Sequence, residues 1–260
     1  MTAQINFENI ALHVPTILLP RSDIDLTKWA VVACDQYTSQ PDYWERVREL
    51  IADSPSSLHL ILPEVYLESD NREQMIQKIN ATMREYLAQG ILLEQKPGFM
   101  LIDRKDAHGL SRRGLIAALD LEHYEYTHGA QTLIRATEGT ILDRLPPRIQ
   151  VRKKACLETP HIMVLIDDPE KTVIEPLFKK NLKKTYDAPL MMNSGHITGY
   201  AVEDPAVIQE TAHALSRLAD PEAFCKKYAI SGKNVLLYAM GDGNHSFATA
   251  KAIWENLKKS

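Results

Sequence analysis

The apolar run Leu236-Leu237-Tyr238-Ala239-Met240 breaks at Gly241-Asp242-Gly243-Asn244-His245-Ser246 and then resumes with helical spacing. The pattern predicts a strand over 234–240, a tight loop and a helix over 247–258, a succession that commits the chain to mixing strands with helices. Two glycines around a carboxylate permit a sharp turn and close backbone approach to a ligand, and the helix offers unpaired N–H groups to an anion. Such a turn can carry Gly, Asp and Asn for capping alone. Density argues for more: Asp242, Asn244, His245, Ser246 and Thr249 crowd the carboxyl end of one expected strand, the place where open α/β sheets bind ligands.

Elsewhere the same periodicities give a coarse plan. Apolar runs at 10–14 and 16–19 are punctuated by Pro15 and Pro20, and 29–34 reads as a buried strand. Helices are predicted over 42–52, with Trp44, Val47 and Ile51 on one face, and over 71–89, with Gly90 as the stop. Segments 91–95, 99–104 and 114–121 read as an antiparallel meander. Residues 127–152 form a polar, arginine-rich stretch of the kind that is more often functional than decorative. A strand at 161–166, a helical stretch at 171–182 weakened by Pro176, strands at 188–192 and 197–202, and helices at 205–218 and 221–228 complete the plan. With no internal repeat or linker, residues 1–260 are expected to form a single α+β domain, a mixed sheet with flanking helices.

Composition narrows the function classes. A net charge of −4 and a pI near 6.1 argue against nucleic acid as a partner, for which a clustered basic excess is the footprint. Cys34, Cys156 and Cys225 are far apart and form no CxxC pair, so neither a disulfide framework nor a zinc ribbon is indicated. The start Met1-Thr2-Ala3-Gln4-Ile5-Asn6-Phe7-Glu8 has no basic region leading into an apolar one, and no run is long enough for a bilayer. A cytoplasmic, soluble protein acting on a small molecule is expected.

Three constellations can carry chemistry. Asp242 and His245 are close enough to address one bound group, the carboxylate as base or metal ligand and the imidazole as acid, base or donor, while Ser246 suits a helix N-cap. In Arg135-Ala136-Thr137-Glu138-Gly139-Thr140 the guanidinium can clamp a phosphate, Glu138 can serve as base or magnesium ligand, and Thr137 and Thr140 add hydroxyls. Arg144 and Arg148 follow, at a spacing that keeps them on one side. In Cys34-Asp35-Gln36-Tyr37, Cys34 suits packing and Asp35 and Gln36 suit ligand contact. The histidines, His161 among them, show no metal-ligand spacing.

Asp242-Gly243-Asn244-His245-Ser246 with the earlier Arg135-to-Thr140 segment resembles the bacterial and archaeal proteins catalogued as domain of unknown function 1015, from about residue 33 to the C-terminus. Their loop is of Asp-Gly-His-His-Arg type, which also resembles the ParB and sulfiredoxin-like superfamily, whose members bind nucleotide phosphates and include a free-serine kinase. The resemblance implies a ParB/sulfiredoxin-like site at the strand-loop-helix junction and nucleotide-dependent phosphoryl transfer to a hydroxylated, serine-like metabolite, with Mg2+ and ATP or ADP as cofactors. Asp242, His245 and Glu138 would be catalytic. Gly241, Gly243, Asn244, Ser246, Arg135, Thr137, Thr140, Asp35 and Gln36 would hold substrate or phosphate. Asn244 stands where the pattern has its first His and Ser246 where it has Arg, so the charge a phosphate needs falls to Arg135, Arg144 or Arg148. Family members usually continue past the last helix, which implies a shortened form ending at Lys258-Lys259-Ser260. The alternative is a non-catalytic module that senses a nucleotide or phosphorylated metabolite.

Overall fold

The computed structural model describes residues 5–159 and 161–259; the first four residues, part of the stretch read for a leader, and Ser260 lie outside the described residues. In chain order come β1 (Asn6–Phe7), β2 (Leu12–His13), β3 (Leu18–Pro20), α1 (Leu26–Trp29), α2 (Pro41–Ile51), α3 (Arg72–Ala88), β4 (Leu92–Glu94), β5 (Phe99–Lys105), β6 (Ser111–Ile116), β7 (Ala118–Leu119) and β8 (Tyr124–Glu125). Then follow β9 (Ile134–Arg135), α4 (Leu145–Arg152), β10 (Met163–Leu165), β11 (Lys183–Pro189), β12 (His196–Val202), α5 (Pro205–Leu218), α6 (Pro221–Tyr228), β13 (Tyr238–Asp242) and α7 (Asn244–Leu257). This is the mixed α+β content expected.

Two four-stranded sheets organise the molecule. One is antiparallel, ordered β11-β12-β5-β6, and the other is mixed, ordered β10-β13-β9-β8, with β13 parallel to β9 and antiparallel to β10. A three-stranded sheet, β1-β2-β7, and the β3-β4 pair are smaller. The largest core gathers Phe99, Leu101, Tyr124, Ile134, Val202, Ile208, Leu215, Met240 and Phe247, so it lies where both large sheets meet α5 and α7. A second cluster forms around Ile79, Met83 and Tyr86 of α3, and a third around Trp44, Val47 and Ile51 of α2. Among the described residues no helix is long and apolar enough to cross a membrane.

Helices 205–218 and 221–228 form where the periodicity put them, each opened by an aspartate and a proline. The buried strand expected over 29–34 does not form. Serines supply the hydrogen bonds that a ladder would have supplied: Ser57 donates to the Trp29 carbonyl (2.6 Å) and accepts from the Val31 amide (3.3 Å), while Val31 and Val32 still pack against the α2 cluster. The expected meander is real only for β5 and β6, since β4 pairs with β3. Over 171–182 only a 3-10 turn, Glu175–Lys179, forms, with Pro176 near its start. The strand expected at 188–192 lies earlier, at 183–189, because Met192 and Asn193 turn the chain with φ of 56° and 55°.

Candidate functional site

β13 ends at Asp242, and Gly243 starts α7 from a left-handed conformation, φ 83° and ψ 28°. A side chain there is strained by that φ, and its Cβ meets the Ile162 Cα at 3.3 Å. The intrahelical ladder begins with the Phe247 amide donating to the Gly243 carbonyl (2.9 Å), so the amides of Asn244, His245 and Ser246 stand outside it. No side chain caps this end: Gly243 is the N-cap, and Ser246, expected in that role, sits inside the first turn. The helix starts at Asn244 rather than at Phe247 because the glycine alone makes the turn. Asp242 Oδ1 accepts from the Gly243 amide (2.8 Å) on an otherwise exposed carboxylate, and Gly241 fits under Leu165.

Parallel pairing of β9 with β13 brings the arginine-glutamate-threonine segment to the same place. Thr137 donates to the Met240 carbonyl (2.6 Å), Asn244 Nδ2 donates to Glu138 Oε1 (3.3 Å), and the Ile141 amide donates to His245 Nε2 (3.2 Å). Asn244 is 5 % exposed, and its Oδ1, like the Thr140 hydroxyl, is buried with no hydrogen-bond partner among the described residues. Arg135 is otherwise engaged: it donates to the Asn234 and Val235 carbonyls (2.9 and 3.0 Å), tying down the segment that feeds β13, and burial lowers its pKa below the usual value. The cations that act on His245 are Arg148 of α4 and Arg144 just before it.

His245 Nε2 accepts a backbone N–H, so in the neutral ring the proton sits on Nδ1 and the imidazole offers a donor. Its pKa lies below the usual 6.5, chiefly from burial, then from Arg148 and Arg144, with Glu138 and Glu64 pulling the other way. Arg148 forms a two-point ion pair with Glu64 (2.8 and 2.6 Å), each side chain only 17 % exposed. The Glu64 amide in turn donates to the Cys34 carbonyl (2.8 Å), which joins the third constellation to the others. Burial, with Asp35 and Glu64 adding to it, pushes the Cys34 thiol up to about 12, as suits a packed rather than a reactive cysteine. Asp35 Oδ1 is buried without a hydrogen-bond partner among the described residues, whereas Gln36 is exposed. Arg152 closes the arrangement by donating to the Ser246 carbonyl (3.1 Å).

Direct contacts thus unite Glu138, Asn244, His245 and Thr137 around the β13–α7 turn, and Asp35 connects only through Cys34, Glu64 and Arg148. Glu64 was not singled out from the sequence, because its partner lies 84 residues away and neither carries a local motif. His161 was dismissed for want of metal spacing, yet its segment lies beside Gly243. Among the described residues no group of three or more His, Cys, Asp or Glu side chains could hold a metal ion. Cavities of about 120 and 100 Å³ lie elsewhere, the first under Phe178 and Tyr200 and the second beneath Phe224 and Leu237.

The chain belongs to a family described as protein of unknown function (DUF1015), whose model matches residues 18–260. No curated protein and no solved structure matches the chain.

Proposed function

We propose that the β13–α7 junction binds nucleotide phosphates and that the protein transfers a phosphoryl group from the nucleotide to a hydroxylated, serine-like metabolite. The observation that carries this reading is the open start of α7: three amides free of the ladder, a glycine in place of a capping side chain, and a buried Asn244 whose Oδ1 has no partner among the described residues. An N-terminus of this kind attracts anions through its amides and its dipole. His245 would add an Nδ1–H donor, and Arg144 the positive charge that Ser246 does not supply, Arg148 being paired with Glu64. The likeness of the loop to the ParB and sulfiredoxin-like superfamily supports the same chemistry.

Asp242 and Glu138 each accept one hydrogen bond within the site and keep the remainder of an exposed carboxylate. Magnesium commonly needs only one or two protein carboxylates beside phosphate oxygens, so these two suit an ion that arrives with the nucleotide. When bound, it would neutralise charge on the transferring group. Asp242 and Glu138 would orient the phosphates, and the amides of Asn244, His245 and Ser246 would hold them in line.

A sensor without chemistry is the second reading, favoured by one observation: Arg135 and His245 Nε2 both serve the backbone. The decisive assay follows nucleotide turnover with a panel of hydroxylated metabolites, serine first. A kinase should lose turnover about 100-fold or more in Asp242→Asn with a smaller loss of binding, whereas a sensor has only affinity to lose. No turnover with any nucleotide, together with an Asp242→Asn variant that binds nucleotide as the parent does, sinks both readings of this residue.

A further inference from the structure

We propose that the cavity between α5, α6 and the chain entering β13 binds a short aliphatic carboxylate, whose tail fills the cavity and whose carboxylate meets Arg217. The site is independent of the phosphoryl-transfer reading. Its lining includes Leu236 and Leu237, which lead into the start of β13, whereas the candidate junction lies at the end of that strand.

The spacing of α6 builds one wall. Ala223, Phe224, Lys227 and Tyr228 recur at intervals of three and four residues, which puts them on one face of the helix, and all four line the cavity. Leu218 at the end of α5 joins Leu236 and Leu237 to make the rest of the lining apolar, with Leu237 only 3 % exposed. The volume is about 100 Å³. At roughly 10–15 Å³ for one water-sized group this holds about seven, the non-hydrogen count of a five-carbon acid. Walls of leucine and phenylalanine favour a hydrocarbon tail.

Charge decides the other end of the ligand. Arg217, Lys227 and Asp167 are the charged residues of the lining, and two of them are committed to each other. Lys227 Nζ lies 2.8 Å from Asp167 Oδ2, and the Tyr228 hydroxyl donates to the same oxygen, so the carboxylate is balanced. The Arg217 guanidinium makes no hydrogen bond or ion pair with any described residue. It leaves one uncompensated positive charge and a planar fork of donors, the geometry a carboxylate matches. The cavity under Phe178 and Tyr200 differs on this point, since its lysine, Lys180, is taken by Glu210 at 2.5 Å. Volume thus sets the size of the tail, and the unpaired guanidinium sets the head.

The test titrates isovalerate, its neutral isostere isovaleramide and inorganic phosphate, without nucleotide, into full-length protein carrying 13C-labelled leucine methyls. The expected result is saturable shifts at Leu218, Leu236 and Leu237 with isovalerate, and none with phosphate. Affinity should be lower by about tenfold for isovaleramide with the parent protein and for isovalerate with Arg217→Gln, the loss expected when a charge-assisted hydrogen bond goes. Ala223→Phe, which puts a ring into the cavity from an exposed position on α6, should abolish the shifts. Unmoved methyls in the parent, phosphate acting as isovalerate does, or a folded Arg217→Gln protein that binds as the parent does overturns the assignment. If Arg217→Gln fails to fold, the two probes on the parent protein decide alone, and equal affinity for isovalerate and isovaleramide overturns the role of Arg217 and the proposal with it.

Discussion

Helices α5 and α6 begin with an aspartate followed by a proline: Asp204 accepts from the Ala206 amide at 2.8 Å and Asp220 from the Ala223 amide at 2.7 Å. Helix α7 begins with Gly243, in a left-handed conformation and with no side-chain cap. All three carry the same backbone problem, a first turn of amides without intrahelical acceptors. α5 and α6 solve it internally, and a covalently attached carboxylate then occupies the place an anion would take. α7 carries no such carboxylate, and the segment after β9, Arg152 of α4 and the segment before β10 lie beside its first turn. The contrast is the one the proposed anion site rests on, since α2, α3 and α4 also start without a side-chain cap but without a left-handed glycine at the N-cap.

The comparison can be broken at several points. The largest effect is expected at the brace behind the open end: Arg148→Ala leaves Glu64 unpaired with only 17 % of its side chain exposed, at a cost of about 3 kcal/mol. Urea midpoints of Arg148→Ala, Glu64→Ala and the double variant check this, and the double variant should recover part of the loss. Gly243→Ala comes next, at roughly 1–2 kcal/mol, because φ of 83° is unfavourable for any side chain. It should also weaken ADP binding, which isothermal titration would detect. Asp204→Ala should cost about 1 kcal/mol through loss of the α5 cap and leave ADP binding unchanged. If Asp204→Ala harms binding as much as Gly243→Ala does, the distinction between the two kinds of helix start fails.

The smallest effect concerns pH. The His245 pKa is held below its usual 6.5, as is that of His59, in both cases chiefly by burial. As pH falls, the unfolded chain takes up these protons before the folded one does. The stability contributed by the neutral rings is therefore complete above about 6.5 and is lost as pH falls from there through the folded values. Melting temperatures at pH 7.5, 6 and 5 should decline in that order, and His245→Gln should flatten the decline.

The capped starts were legible because their signals are local. Asp204-Pro205 and Asp220-Pro221 precede runs with helical spacing, and both helices form at the expected bounds. The β13–α7 turn was legible for the same reason, although its helix starts earlier than expected, since the apolar spacing of α7 becomes visible only from Phe247. Residues 29–34 misled because their apolar run is half-buried against other elements while its hydrogen bonds go to serine hydroxyls more than twenty residues away. The Glu64–Arg148 pair and the place of His161 depend on tertiary packing, and no local pattern announces them. Arg135 was legible as a cation but not as one turned toward carbonyls, because only the fold brings Asn234 and Val235 within reach.

The central claim, that α7 opens onto an anion, is tested most directly by following backbone amides in 1H–15N spectra while ADP and magnesium are added to the full-length protein. The account predicts saturable shifts concentrated at Asn244, His245 and Ser246, with Ala206 and Ala223 at the capped starts unmoved. Shifts of equal size at all three helix starts, or none at α7, would contradict it.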